Sequence, residues 1–246
     1  MKKKIPRSPK SSRLRGRWRS SLVRSIGLRL LLVLICSLSL CGAPIEILKL
    51  EGTVSVSRDK GIRWKPLKSS DKVRSGQWIK TDEKSLADFE LPDGSLLRIQ
   101  EESVAIVEKA TLEKNVSEIQ LDVREGRILT IVHDMAPASK FEVKTSEGVC
   151  GARGENTVIE IVHDGKFRCF RGTLIVVYAS PHDLSPALQL HTGMESIPPR
   201  SREIQYTTKA IDDSSSKRLQ KELKQLQESA DAKKKETAKS AKAPQT

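Results

Sequence analysis

Between Ile45 and about Pro199 the chain is a succession of short β-branched runs, each cut off by Gly, Asp or Pro. No window there repeats apolar residues at helical spacing for long enough to bury a helix face. A chain patterned this way closes a core by stacking sheet on sheet, so the expected fold is all-β, a β-sandwich or a short irregular β-solenoid of hairpins. The clearest unit runs from Leu86 to Ile99. Ala87, Phe89 and Leu91 alternate with polar neighbours, Pro92-Asp93-Gly94-Ser95 turns, and Leu97 and Ile99 continue the apolar face. A second hairpin is expected from Thr157 to Phe170, with Val158 to Val162 and Lys166 to Phe170 flanking Asp164-Gly165; that pairing sets Cys169 opposite Glu160. Further strands are expected at Thr53 to Ser57, Gln77 to Thr81, Val104 to Val107, Glu118 to Val123, Arg127 to Val132, Lys140 to Thr145, Leu174 to Tyr178 and Ala187 to His191. Glu51-Gly52, Glu125-Gly126 and Arg171-Gly172 each stand before a strand. Their unequal spacing excludes a fixed repeat, and each Gly reads as a bend or bulge.

Charge is distributed unevenly. The 246 residues carry a formal +13, yet residues 1–43 hold eleven Lys or Arg and no acid. The remainder has 33 basic and 31 acidic residues and is nearly neutral. Nucleic-acid binding, which draws its affinity from phosphate neutralisation, is therefore not expected. The basic lead runs into Leu30 to Leu40, LLLVLICSLSL, which has the form of an export signal's charged and apolar regions. The apolar run is short against the ~20 residues that cross a bilayer. Positive flanking charge keeps the N-terminus inside and sends the rest out, so a periplasmic location at the inner membrane is expected. Lipidation of Cys41, cleavage after Cys41 or Gly42, and retention as a membrane anchor all remain open.

After Arg200 the composition changes. Ser214 to Ser216 would cap a short helix with Leu219, Leu223 and Leu226 on one side, lying on its own domain. From Ala230 the chain is Lys- and Ala-rich, and disorder is expected. The expected organisation is a signal or anchor over 1–43, a β domain over 44–200, a linker and short helix over 201–229, and a disordered tail over 230–246.

Within the β region an ordered series of motifs resembles the FecR domain, an extracytoplasmic sensing module of bacterial envelope proteins. The series comprises Gly52-Thr53-Val54, Trp64 and Leu67, Gly76 with Ile79 and Thr81, Asp93-Gly94-Ser95, Glu125-Gly126, Phe141-x-Val143-x-Thr145, Arg153-Gly154, and then Gly172 and Gly193. The sequence departs from the family's pattern where Gln77 replaces Asp, where Glu155 replaces Thr and where Thr157 replaces an aromatic. The resemblance implies a recognition domain that binds an envelope protein or a cell-wall component. A structural envelope component or lipoprotein scaffold is the alternative. Anti-sigma activity is not expected, since the segment before the apolar run is Arg, Lys and Ser with too little apolar material for a helical domain. Partner contact is expected at Arg153, Gly154, Glu155 and Thr157, taken as a sheet edge, with Arg153 itself paired inside its own domain.

No catalytic residue, cofactor site or metal site is expected. His133-Asp134, His163-Asp164 and His182-Asp183 lie at strand ends and turns, where Asp serves its own backbone. No phosphate loop, zinc-spaced Cys pair or nucleophile elbow occurs. Cys150 and Cys169 belong to the β region; a disulfide between them across a neighbouring strand and two separate buried thiols are both open.

Overall fold

A computed structural model describes residues 44–133, 135–179, 185–198 and 207–241. The strands are β1 (Glu46–Glu51), β2 (Val54–Ser57), β3 (Lys65–Pro66), β4 (Gln77–Thr81), β5 (Leu86–Glu90), β6 (Leu96–Ile99), β7 (Ser103–Glu113), β8 (Val116–Glu125), β9 (Arg127–Val132) and β10 (Lys140–Lys144). Then come β11 (Gly148–Val162), β12 (Phe167–Tyr178), β13 (Leu188–His191), β14 (Met194–Ile197) and β15 (Thr207–Ala210), followed by helix α1 (Asp213–Ala241). The mostly β expectation holds. All fifteen strands join one sheet in the order β1-β5-β6-β9-β11-β10-β8-β7-β4-β2-β3, with β12 on the far side of β11 carrying β13 and β14, and β15 beyond β14.

Alternation decides what the sheet buries. Ala87, Phe89, Leu97, Ile99, Ile128, Ile159 and Phe167 from one arm meet Ile79, Val107, Ile119, Leu121, Phe141 and Val143 from the other in a single core. The opposite face of the first arm presents Leu96, Leu129, Ile131 and Val158, and α1 covers them with Leu219, Leu226 and Ala230. Each such Leu, Ile or Val, moved fully out of water, contributes roughly 1.5–3 kcal/mol.

Strand entrance at the glycines follows one device. Arg127 N donates to Ser103 Oγ at 2.9 Å and Thr53 N donates to Ser85 Oγ at 2.9 Å. Gly126 has φ 72°, and a Cβ there would fall 2.1 Å from Ser103 Oγ and 2.6 Å from the Glu102 carbonyl oxygen. No side chain fits, which is why Gly precedes the strand.

Several expectations change. The hairpin after β11 turns through three residues, because Val162 N donates to the Lys166 carbonyl at 3.0 Å. Cys169 therefore lies opposite Ile159, and Glu160 opposite Arg168. The runs expected as separate strands at Lys166 to Phe170 and Leu174 to Tyr178 are one strand, β12, and β1, β3, β14 and β15 were not foreseen. The helix is not short, and the tail expected to be disordered from Ala230 is helical through Ala241. Residues 213–241 contain no Gly or Pro, and Ala, Lys and Glu propagate a helix that docking has already nucleated. The cap is Asp212 rather than the serines: Asp212 Oδ1 accepts from Ser215 N at 2.9 Å and from Ser214 Oγ. Those hydrogen bonds, from Ser214 first and then Ser215, hold the Asp212 carboxyl below its ordinary pKa. The signal region with Cys41 lies outside the described residues, and none of the described helices is long and apolar enough to cross a membrane.

Candidate interaction site at the β11 corner

Strand β11 serves two neighbours on one edge. Val149 to Gly151 pair with Lys144 to Glu142 of β10, whereas Thr157 to Val162 pair with Val132 to Arg127 of β9. The switch falls on Arg153 to Asn156. On the other edge β12 steps from Thr173, opposite Arg153, to Arg171, opposite Val158. Gly154 to Thr157 thus bulge against Gly172 alone. Gly154 and Asn156 have φ of 89° and 50°. Gly172 has φ 93°, and a Cβ there would lie 2.5 Å from Thr157 Oγ1 and 3.1 Å from Thr157 Cα, so the buried Thr157 takes the place a side chain would need.

One expectation fails at this corner. It is not a sheet edge, because β11 is paired on both sides; among the described strands the edges are β1, β3, β13 and β15. Among the described side chains, Arg153 is not one that ties the bend together. It is exposed and makes no ion pair or side-chain hydrogen bond among the described residues, whereas Arg171 Nε donates to the Asn156 carbonyl at 2.9 Å. Thr157 Oγ1 closes the bend on the Arg153 carbonyl at 3.0 Å. The repeated charge-Gly signature at Arg171-Gly172 pointed to this position, but sequence alone did not reveal which Arg bends back.

The corner opens on a cleft of about 360 Å³ lined by Glu90, Gly94, His133, Asn156 and, from α1, Gln227 and Lys234. The Asp93-Gly94-Ser95 turn is fixed there: Ser95 N donates to Asp93 Oδ1 at 3.0 Å, and Ser95 Oγ accepts from His133 N at 3.0 Å. Gly94 of that turn and Asn156 of the corner, some sixty residues apart in sequence, therefore border one opening.

Beneath α1 lies a charged network that sequence reading missed. Asp88 and Arg98, opposite each other on β5 and β6, form two hydrogen bonds of 2.7 Å each. Glu160 receives Arg127 of β9, Arg168 of β12 and Arg218 of α1. Arg127 also binds Glu222 of α1, and Arg168 binds Glu195 of β14. Burial pushes the Glu160 carboxyl up, but hydrogen bonds from Arg218 and Arg168 and the charges of Arg218 and Arg127 outweigh it and hold the pKa below the ordinary value. Glu195 is held low in the same way, against burial, by Arg168 and Lys209. The sequence trace of this network was polar residues at outward strand positions, such as Arg98 between Leu97 and Ile99.

Cys150 and Cys169 are free, buried thiols, opposite Val176 and Ile159 respectively. Burial raises both, Cys169 to about 11. His163 Nδ1 lies 3.2 Å from the Gly126 carbonyl. His182-Asp183 and Asp134 fall outside the described residues. No group of three or more metal-ligating side chains gathers among the described residues.

Comparison with known proteins gives a family match and remote structural likeness. Residues 77–174 match the family model described as FecR protein. Two crystal structures of a candidate anti-sigma factor from Parabacteroides distasonis align with TM-scores of 0.42 and 0.41, each at 14% identity. Each alignment covers 55% of this chain and 60% of the other, so less than two thirds of that protein's length is represented. No curated protein matches the chain.

Proposed function

From the premise that this chain contains a FecR domain over residues 77–174, we propose that it is a non-enzymatic, sensor-type recognition domain. It works in the periplasm, held at the inner membrane by its N-terminal segment, and binds another envelope protein or a cell-wall component without anti-sigma activity. The observation that carries this reading is the corner. An exposed arginine without an ion pair among the described residues stands on a bulge in a strand that is otherwise paired on both edges, next to an open cleft. Such a bulge re-aims side chains without loosening the sheet, and guanidinium groups are favoured anchors at recognition surfaces. The eleven cations before the apolar run support the orientation.

Arg153→Ala and Glu155→Thr, each shown to keep the fold by circular dichroism, are expected to reduce in-cell crosslinking to the partner by about fivefold or more. Undiminished crosslinking by both would place the binding surface elsewhere. Alkaline phosphatase fused to the C-terminus of the full chain is expected to be active; an inactive fusion beside an active cytoplasmic reporter would rule out the periplasmic location.

A further inference from the structure

The near-neutrality of the exported part conceals a concentration of charge. Residues 58–74 contain seven cations and two acids, while the other residues after position 43 carry 26 cations and 29 acids. The seventeen residues that join β2, β3 and β4 at one end of the sheet are therefore strongly positive in a chain whose other residues after position 43 are slightly acidic in sum.

Both acids in that stretch are committed to building it. Asp59 accepts from Ser57 Oγ at 2.8 Å, from Arg63 N at 2.9 Å and from Arg63 Nε at 2.6 Å, and Gly61 N donates to Ser57 Oγ at 3.0 Å. Asp71 Oδ2 accepts from Lys68 N at 2.9 Å. Arg63 is thereby neutralised, but Arg58, Lys60, Lys65, Lys68, Lys72 and Arg74 make no ion pair among the described residues. Elsewhere on the surface cations are commonly matched, as in Lys109–Glu118, Lys140–Glu142 and Lys144–Glu108. Arg58, Lys65 and Lys72 border one cleft of about 390 Å³.

The loop that this hydrogen bonding fixes carries an apolar residue outward. Ile62 is 79% exposed, far above the next large apolar side chain among the described residues, Leu112 at 41%. Beside it stand the two tryptophans of the β body: a Cβ on Gly61 would lie 3.4 Å from Trp78 Cε3 and 3.5 Å from Trp64 Cζ2, so both half-buried indoles flank the loop. A protein partner or a nucleic acid would account for the cations alone. The combination of Lys and Arg without ion pairs among the described residues, a projecting isoleucine and two indoles at the same end matches an interfacial lipid contact. There the cations meet headgroup phosphates, the indoles sit at headgroup depth and the aliphatic chain enters the acyl boundary.

We propose that the 58–74 end of the sheet docks on an anionic lipid surface, with Ile62 inserted and Arg58, Lys65 and Lys72 on headgroup phosphates. This contact is separate from the β11 corner and from any anchoring by the N-terminal segment, and it stands or falls without them.

The test uses full-length Trp18→Phe protein, in which Trp64 and Trp78 are the only tryptophans. Vesicles of phosphatidylcholine and phosphatidylglycerol brominated on their acyl chains are expected to quench and blue-shift this emission, whereas phosphatidylcholine alone leaves it unchanged. Quenching is expected to weaken as salt shortens the screening length from about 30 Å at 0.01 M to about 8 Å at 0.15 M. Reversal of Arg58, Lys65 and Lys72 to Glu is expected to weaken the quenching interaction by at least about a hundredfold, and Ile62→Asp by roughly tenfold or more. Both variants alter exposed positions and leave the core intact. Retention of the quenching by either variant overturns the proposal. So does an equal spectral change on adding glycerol phosphate or duplex DNA without vesicles.

Discussion

Asp88→Ala is expected to destabilise the protein by about 3–5 kcal/mol, more than an ordinary surface change could cost. Asp88 and Arg98 side chains are 0% and 1% exposed, and their two hydrogen bonds run between facing strands. Arg98 keeps only neutral acceptors after the substitution, the Glu222 carbonyl and Gln225 Oε1, each at 3.2 Å. The guanidinium then remains buried with its charge unmatched, and Ser229 Oγ loses its 2.9 Å acceptor as well. Removing both charges should cost much less, because the penalty belongs to the orphaned ion rather than to the pair. Asp88→Ala and Asp88→Ala/Arg98→Met, compared by urea unfolding, should therefore differ in favour of the double variant. A single-variant cost under about 1 kcal/mol, or a double variant worse than the single, would show that the ion is not held dry.

The same pair shows where sequence reading reaches its limit. Alternation located β5 and β6 and put Phe89 and Leu97 inside, because a sheet with one buried face writes that face at every second residue. The outward positions looked like solvent-facing polar residues, and nothing local said that a helix more than a hundred residues later would cover them. Arg98, Arg127 and Glu160 were illegible for that reason. Periodicity recognised Leu219, Leu223 and Leu226 and placed the helix on its own domain, but its extension through Ala241 depended on the docked first half acting as nucleus. At the corner, the order of motifs led to Arg153-Gly154, yet the bend's geometry belongs to a pairing across chains of sequence, Gly172 against Thr157. A motif fixes where a bulge falls. Which side chain holds it and which is left outward is settled only by the neighbouring strand.

Glu160 joins four elements and is expected to make stability depend on acid pH. Its side chain is 0% exposed, and arginines from β9, β12 and α1 converge on its two oxygens. Because its folded pKa lies below the ordinary value, the stability it contributes is fully present above the unfolded carboxyl pKa of about 4.3 and is lost as pH falls through the lower folded value. Glu195 has the same sign. Asp122 has the opposite one: burial, outweighing Arg124, raises its carboxyl, so it favours the fold at low pH and offsets part of the loss. Glu160→Gln keeps the shape and removes the charge, leaving Arg127 and Arg218 with Glu222 and Arg168 with Glu195. At pH 7 the variant is expected to be less stable by about 3 kcal/mol, the lower end for breaking a buried charge cluster, since those two carboxylates remain. Below about pH 4 the difference should shrink, as Glu160 of the unfolded wild-type chain takes up a proton that the folded, arginine-bound carboxylate resists. Urea unfolding of both proteins at pH 7 and pH 3.5 measures this directly. A difference that stays constant between the two would mean that Glu160 acts through its shape and hydrogen bonds and that its charge does not hold α1 to the sheet.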